Sequence, residues 1–249
     1  MDPGQPPVLE ARALVAGYEL DVNILNGVSV KAFGGSIACV IGPNGTGKST
    51  LLKTLFGLLK PVSGEVLFRQ RNLIGLPAHQ MIGEGITFLP QQPSIFPYLT
   101  VDVNLRLGLW HSARSARDKR ARIERAYGQF AVLREKHREP AGQLSGGQQR
   151  QLEIARATLS DPVVFLIDEP SAGVDPLTSS EVYRMIDRLA HDEGKAVLLV
   201  DQDIRRALAV ADYVYVMRNG SLFAEGPRRE FGSDIAKLMS HWLGMTPSR

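Results

Sequence analysis

Over the first ~35 positions apolar residues alternate with polar ones: Leu9, Ala11, Ala13 and Val15, then Ile24, Val28 and Val30. Period two predicts antiparallel strands. Gly34-Gly35 then turns the chain into an apolar run, Ile37-Ala38-Cys39-Val40-Ile41, which predicts a buried strand. Helix-like spacing follows, with Leu51, Leu52, Leu55, Phe56, Leu58 and Leu59, and Gly64–Phe68 predicts another strand. Beyond residue 95 the period changes. The stretch His111–Glu139 is rich in Arg and Lys, and Ile123, Tyr127, Phe130 and Leu133 recur at helical spacing. After Asp161-Pro162 strand and helix alternate again. Val163–Ile167 is a short apolar run, Ser179–Ala190 places Val182, Met185, Ile186 and Leu189 on one helix face, and Ala196–Val200 is a second buried strand. A helix is expected from Ile204 to about Ala211. Tyr213–Met217 and Leu222–Ala224 flank Asn219-Gly220, a hairpin turn.

These elements predict an α/β chain with a helical lobe inserted between core strands. Residues 9–94 and 161–232 form the core, 95–160 the lobe, 1–8 a disordered leader and 233–249 a C-terminal helix and tail. No internal repeat interrupts this order.

Three motifs sit on this frame. Gly42-Pro43-Asn44-Gly45-Thr46-Gly47-Lys48-Ser49-Thr50 matches G-x-x-x-x-G-K-[ST] between a strand and a helix, where a phosphate-binding loop belongs. Its glycines let successive N–H groups point at one anion, and the helix N-terminus adds positive partial charge. Lys48 can reach the β- and γ-phosphates and Ser49 can hold Mg²⁺. The second motif is Asp168-Glu169 at the tip of the Val163–Ile167 run. Alone, such acids also serve as helix caps. Behind a phosphate loop, Asp168 is placed to order Mg²⁺ and Glu169 to polarise a water aimed at the γ-phosphate. The third is Leu144-Ser145-Gly146-Gly147-Gln148. Ser145 can cap the helix Gln148–Leu159, and its hydroxyl with two glycine amides also makes a second anion-binding nest. A domain holding one nucleotide has no evident use for two nests.

In this order the three motifs resemble the nucleotide-binding domain of an ABC ATPase, a P-loop fold with a mixed, mainly parallel sheet, an N-terminal antiparallel sheet and an inserted helical lobe. The likeness runs from about Leu9 to Gly232. It implies hydrolysis of ATP to ADP and phosphate with Mg²⁺, in a head-to-tail dimer. There Ser145, Gly146, Gly147 and Gln148 would meet the nucleotide held by a second copy or a similar ATPase subunit. It further implies that Tyr18 stacks on adenine, and that Gln91 in Phe88-Leu89-Pro90-Gln91 approaches Mg²⁺ and links the site to the lobe. Ser171-Ala172-Gly173-Val174-Asp175 corresponds to the loop crossing the dimer interface and adds Asp175 to the nucleotide-binding set; Val174 stands where leucine is usual. After Ala196–Val200 the family usually has a histidine facing the γ-phosphate. This chain has Gln202, which can donate a hydrogen bond but cannot become cationic.

A branch of importer ATPases for branched-chain amino acids and related polar solutes carries that glutamine. Leu76-Pro77-Ala78-His79, Ile95–Val101 and Ala211–Met217 are similar to the same branch. The expected partners are transmembrane permeases docked on the helical lobe and, indirectly, an extracytoplasmic solute-binding protein. An ATPase for export or cofactor assembly, and a soluble relative acting on nucleic acid, are the competing readings.

Composition trims these choices. The 249 residues, 44% hydrophobic and 22% charged, suit a large globular domain. A net charge of +3 does not by itself argue for nucleic acid. Cys39, the one cysteine, excludes an internal disulfide and is expected in a buried strand. No run approaches the ~20 apolar residues of a membrane span, and Met1–Pro7 lacks the basic flank and apolar core of a secretory signal. Together these features imply a cytoplasmic protein, and the resemblance implies that its permease partners hold it at the cytoplasmic face of the membrane.

Overall fold

The computed structural model describes residues 5–19, 22–110 and 115–231. The C-terminal helix and tail expected for 233–249 lie outside the described residues.

Two sheets form the frame. In the smaller one β1 (Leu9–Ala16) is central, pairing antiparallel with β2 (Leu25–Ala32) on one side and β4 (Ser63–Phe68) on the other. The short β5 (Arg71–Asn72) extends the β4 side. The larger sheet runs β10-β9-β3-β8-β7-β6. Its parallel strands are β6 (Ile86–Leu89), β7 (Val164–Asp168), β8 (Ala196–Asp201), β3 (Ser36–Ile41) and β9 (Tyr213–Arg218). β10 (Ser221–Pro227) closes the edge antiparallel to β9, through a turn in which Asn219 and Gly220 take φ 48° and 78°.

Parallel strands must be covered on both faces, and β3 shows how. Ala38 and Val40 join a core shared with the small sheet and with Leu51, Leu52 and Leu55 of α1 (Lys48–Leu55). Ile37, Cys39 and Ile41 face the other way, into a core with α7 (Pro176–His191) and α8 (Ile204–Val210). The second core continues into the helical layer of α3 (Val101–Leu107), α4 (Ala116–Gln129), α5 (Ala131–Glu135) and α6 (Gly146–Leu159). Ile123, Tyr127, Phe130 and Leu133 are all buried there. α2 (Ala78–Glu84), which the pattern did not reveal, leads into β6.

The structure corrects several expectations. The alternation Leu9, Ala11, Ala13, Val15 does not hold through β1. A bulge after Ala11 puts Ala13 at φ 46° on the exposed side and turns Leu14 and Ala16 inward. An extra residue in one strand shifts every later side chain to the opposite face. The first helix stops at Leu55, because Gly57 takes a left-handed φ of 75°, and Leu58 is exposed. The helix through Ile123–Leu133 breaks at Phe130, whose φ, ψ of −125°, 80° are not helical. Ahead of β1, Val8 N–H donates to Ala32 O at 2.9 Å.

Candidate functional site

The parallel register decides where the chemistry gathers. Ile41 pairs with Asp201, and Asp168 with Val200. The phosphate loop after β3, Asp168-Glu169 at the end of β7 and Gln202 after β8 therefore leave the sheet side by side at its carboxyl edge, where open α/β sheets bind ligands. β6 ends at Leu89 beside Ile167, which brings Gln91 to the same edge.

Within the loop, Gly47 caps α1 at φ 98°, a left-handed conformation that disfavours any side chain. Lys48 is buried, and its ammonium donates to the carbonyls of Gly42 at 2.8 Å and Pro43 at 2.9 Å. Burial lowers the Lys48 pKa, while the carboxylates of Glu169, Asp168 and Asp201 act against that. Thr46 Oγ1 closes the loop by donating to Pro43 O at 2.9 Å.

Ser49 Oγ donates to Asp168 Oδ1 at 3.1 Å. Burial pushes the Asp168 carboxyl up; the Ser49 hydroxyl opposes this and the neighbouring Glu169 adds to it. Among the described residues no group of three or more His, Cys, Asp or Glu could hold a metal. One hydroxyl and one carboxylate do suit Mg²⁺, which keeps several waters and completes its shell with substrate phosphates rather than a protein cage.

Glu169 is buried and sits at φ 43°, an uncommon backbone for a residue with a side chain. Its N–H donates to Val200 O at 2.8 Å, and its carbonyl accepts from Ala172 at 3.1 Å. Two amides converge on one carboxylate oxygen: Gln91 Nε2 donates to Glu169 Oε2 at 2.7 Å, and Gln202 Nε2 donates to the same atom.

The remaining motif residues form a second cluster. Ser145 caps α6 in a reciprocal box: its hydroxyl accepts from Gln148 N–H at 3.3 Å, and its own N–H donates to Gln148 Oε1 at 3.1 Å. A Cβ on Gly147 would meet Thr178 Cγ2 at 2.1 Å, so only glycine lets α6 approach α7 this closely. Asp175 caps α7, accepting from the N–H groups of Leu177 and Thr178 and from the Thr178 hydroxyl; these donors lower its pKa. Among the described residues no hydrogen bond joins Ser145–Gln148 or Asp175 to loop 42–50. Tyr18 is 56% exposed, and Lys53 Nζ donates to its hydroxyl at 3.2 Å.

Sequence reasoning missed how firmly Gln91 is tied to α6. Arg150 is 1% exposed, pairs with Glu153, and donates to Pro90 O at 2.8 Å and to Gln91 O. Glu153 Oε1 accepts from both the N–H and the hydroxyl of Ser94 at 2.8 Å, and Arg156 donates to Ser94 O at 2.6 Å. The spacing Arg150-x-x-Glu153 was visible, but it reads equally as a solvated helix pair.

Comparison with known proteins agrees with this geometry. The ABC transporter family profile matches residues 25–172. The high-affinity branched-chain amino acid transport ATP-binding protein BraG of Pseudomonas aeruginosa is 36% identical over 208 residues, covering 84% of this chain and 88% of BraG. The lipopolysaccharide export ATP-binding protein LptB of Escherichia coli K12 is 35% identical over 228 residues, covering 91% and 93%. Among solved structures, the cassette MJ1267 of an ABC transporter superimposes with a TM-score of 0.83 at 28% identity, covering 97% of this chain and all of that one. The dimeric post-hydrolysis cassette MJ0796, bound to ADP and Pi, gives a TM-score of 0.78 at 26% identity over 89% of this chain and 99% of its own. The family profile and relatives alike over most of their length agree on one assignment: the chain belongs to the ABC transporter family as an ATP-binding subunit that hydrolyses ATP.

Proposed function

We propose that this subunit drives import of branched-chain amino acids or a related polar solute. The observation that carries this reading is Gln202 on Glu169, where the wider family usually places histidine; the likeness to BraG supports it. In this account Lys48, Ser49 and the amides of loop 42–50 hold the triphosphate. Ser49, Asp168 and Gln91 take Mg²⁺, which when bound neutralises charge developing on the phosphates. Glu169 accepts the proton of the attacking water. Gln91 and Gln202 aim its carboxylate, and Tyr18 carries the adenine. Ser145–Gln148 and Asp175 complete the site of a second copy or a similar subunit; this is supported by their hydrogen bonds, which cap α6 and α7 and, among the described residues, do not reach the loop.

A groove of about 730 Å³ between α1, β6 and the helical layer, bordered by Leu58, Phe96 and Trp110, suits an apolar segment of a permease. Trp110 is 78% exposed beside it. No helix among the described residues is long and apolar enough to cross a membrane, so such a permease would carry the solute, fed by an extracytoplasmic binding protein. The subunit would sit peripherally on the cytoplasmic face, and nucleic acid has no place in this account. Lipopolysaccharide-type export is the second reading, favoured by LptB relatives of similar identity.

The test is to capture the chain from solubilised native membranes, identify the permeases bound to it, and reconstitute them in vesicles. Import predicts ATP hydrolysis stimulated by a solute-loaded binding protein. Stimulation by lipopolysaccharide, with no response to any binding protein, rejects the amino-acid reading.

A further inference from the structure

Tyr183 lies on the buried face of α7, among Val182, Ile186 and Leu189. Phenylalanine would fill that place without burying a hydroxyl. Instead the phenol donates to Asp201 Oδ2, and Asp201 is itself only 2% exposed. Burial raises the pKa of both groups. A buried carboxylate is a poor source of stability, so its geometry calls for another explanation.

Asp201 is the last residue of β8 and uses both oxygens. While Oδ2 accepts from Tyr183, Oδ1 accepts the Asp203 N–H at 2.8 Å and so closes the turn that carries Gln202. Gln202 in turn donates to Glu169, whose own N–H hangs on Val200 of the same strand. On its other side the Tyr183 hydroxyl lies 3.4 Å from Ser171 Oγ, at the start of the loop that Asp175 ends. A second strut runs parallel to the first. Arg206 donates to the buried Ser179 hydroxyl of α7 and pairs with Asp203 at 3.2 Å. Helix α7 is therefore fastened to the Gln202 turn at two points, and its N-terminal loop to the first of them.

We propose that Tyr183 is a positioning residue for ATP hydrolysis. Through Asp201 it fixes where the Gln202 amide stands against Glu169, and it ties that placement to the loop 171–175. A shift of this loop on contact with a second subunit then moves the amide that aims the base. The inference rests on Glu169 as base and Gln202 as its partner.

The experiment uses the full chain, with steady-state hydrolysis of Mg-ATP by Tyr183→Phe, Gln202→Ala and their double variant, and Glu169→Gln as reference. Tyr183→Phe is expected to lower kcat about tenfold and to leave KM within about twofold, the signature of a contact that matters only in the transition state. The double variant should lose no more than Gln202→Ala alone, because both substitutions break one chain of contacts. Asp201→Ala removes both acceptors, the one for Tyr183 and the one for the Asp203 N–H, and should lower kcat in the same way. The proposal is overturned if Tyr183→Phe or Asp201→Ala keeps wild-type kcat while Gln202→Ala loses it. It is equally overturned if the double variant multiplies the two losses, or if Tyr183→Phe lowers only the melting temperature. Undiminished phosphate release by Glu169→Gln would sink the underlying assignment of the base instead.

Discussion

Glu169 is held as much by its backbone as by its side chain. A non-glycine residue at φ 43° carries strain on the order of 1–3 kcal/mol, and such strain persists only where surrounding contacts enforce it. Here two backbone hydrogen bonds and two side-chain amides do so. Glu169→Gln keeps shape and donors' targets but removes the proposed base. We expect ATP binding unchanged and turnover reduced about 100-fold or more; near-normal phosphate release would reject the role. Gln202→His tests the neighbouring contact. It should keep or raise hydrolysis and introduce a titration near pH 6.5 that glutamine cannot show. A large loss at all pH values would mean that the amide itself is required. These residues could be found from sequence because strand tips and a glycine loop leave marks at fixed positions. Tyr183 could not, since at its position a buried phenol has the same helical spacing as a core aromatic residue.

Among elements, α6 is the most instructive. Its signature end was legible as a cap, and the cap is there. Its inner face was not, because charged residues at i and i+3 look alike whether wet or buried. Arg150 and Glu153 are buried, and among the described residues Arg150 Nε has no hydrogen-bond partner. Removing one member of such a pair strands the other. Arg150→Met should cost about 3–5 kcal/mol, whereas Arg150→Met with Glu153→Leu should recover only part of that, because Ser94 N–H and the Pro90 and Gln91 carbonyls still lose their partners, as chemical denaturation would show. The double variant should nonetheless lose coupling between α6 and Gln91. β1 fails as a period-two pattern for a different reason: nothing in Arg12-Ala13 announces a bulge, which is set by pairing with both β2 and β4 at once.

Helix α7 ends on a charged contact. His191 lies between Asp187 at 3.0 Å and Asp212 at 3.1 Å, and Asp212 also accepts the Ile37 N–H that begins β3. Burial would lower the His191 pKa, but the two carboxylates outweigh it and raise it. A raised folded-state pKa gives stability that is fully present below about pH 6.5 and lost as pH rises through the folded value. The melting temperature of wild type relative to His191→Gln should therefore be higher at pH 6 than at pH 8; a constant difference would reject the linkage.

On the proposed reading, the whole molecule is incomplete as a catalyst in one copy. The phosphate loop and the Ser145–Gln148 nest both present backbone donors, yet they belong to separate clusters. Two copies facing each other would give each nucleotide a loop from one chain and a nest from the other. Glu169→Gln saturated with Mg-ATP should sediment at twice the monomer mass and return to monomer with ADP. A species that stays monomeric under saturation contradicts the shared site.

The middle place of β1 in the small sheet has a consequence for how far the protein can be shortened. Neighbouring strands lie ~4.8 Å apart, so deleting β1 would leave β2 and β4 about 10 Å from each other with no backbone partner between them. It would also lay bare the apolar layer that backs the nucleotide loop. A version beginning at Leu9 therefore keeps the central strand and should still make a working enzyme, and one beginning at Gly17 has lost that strand.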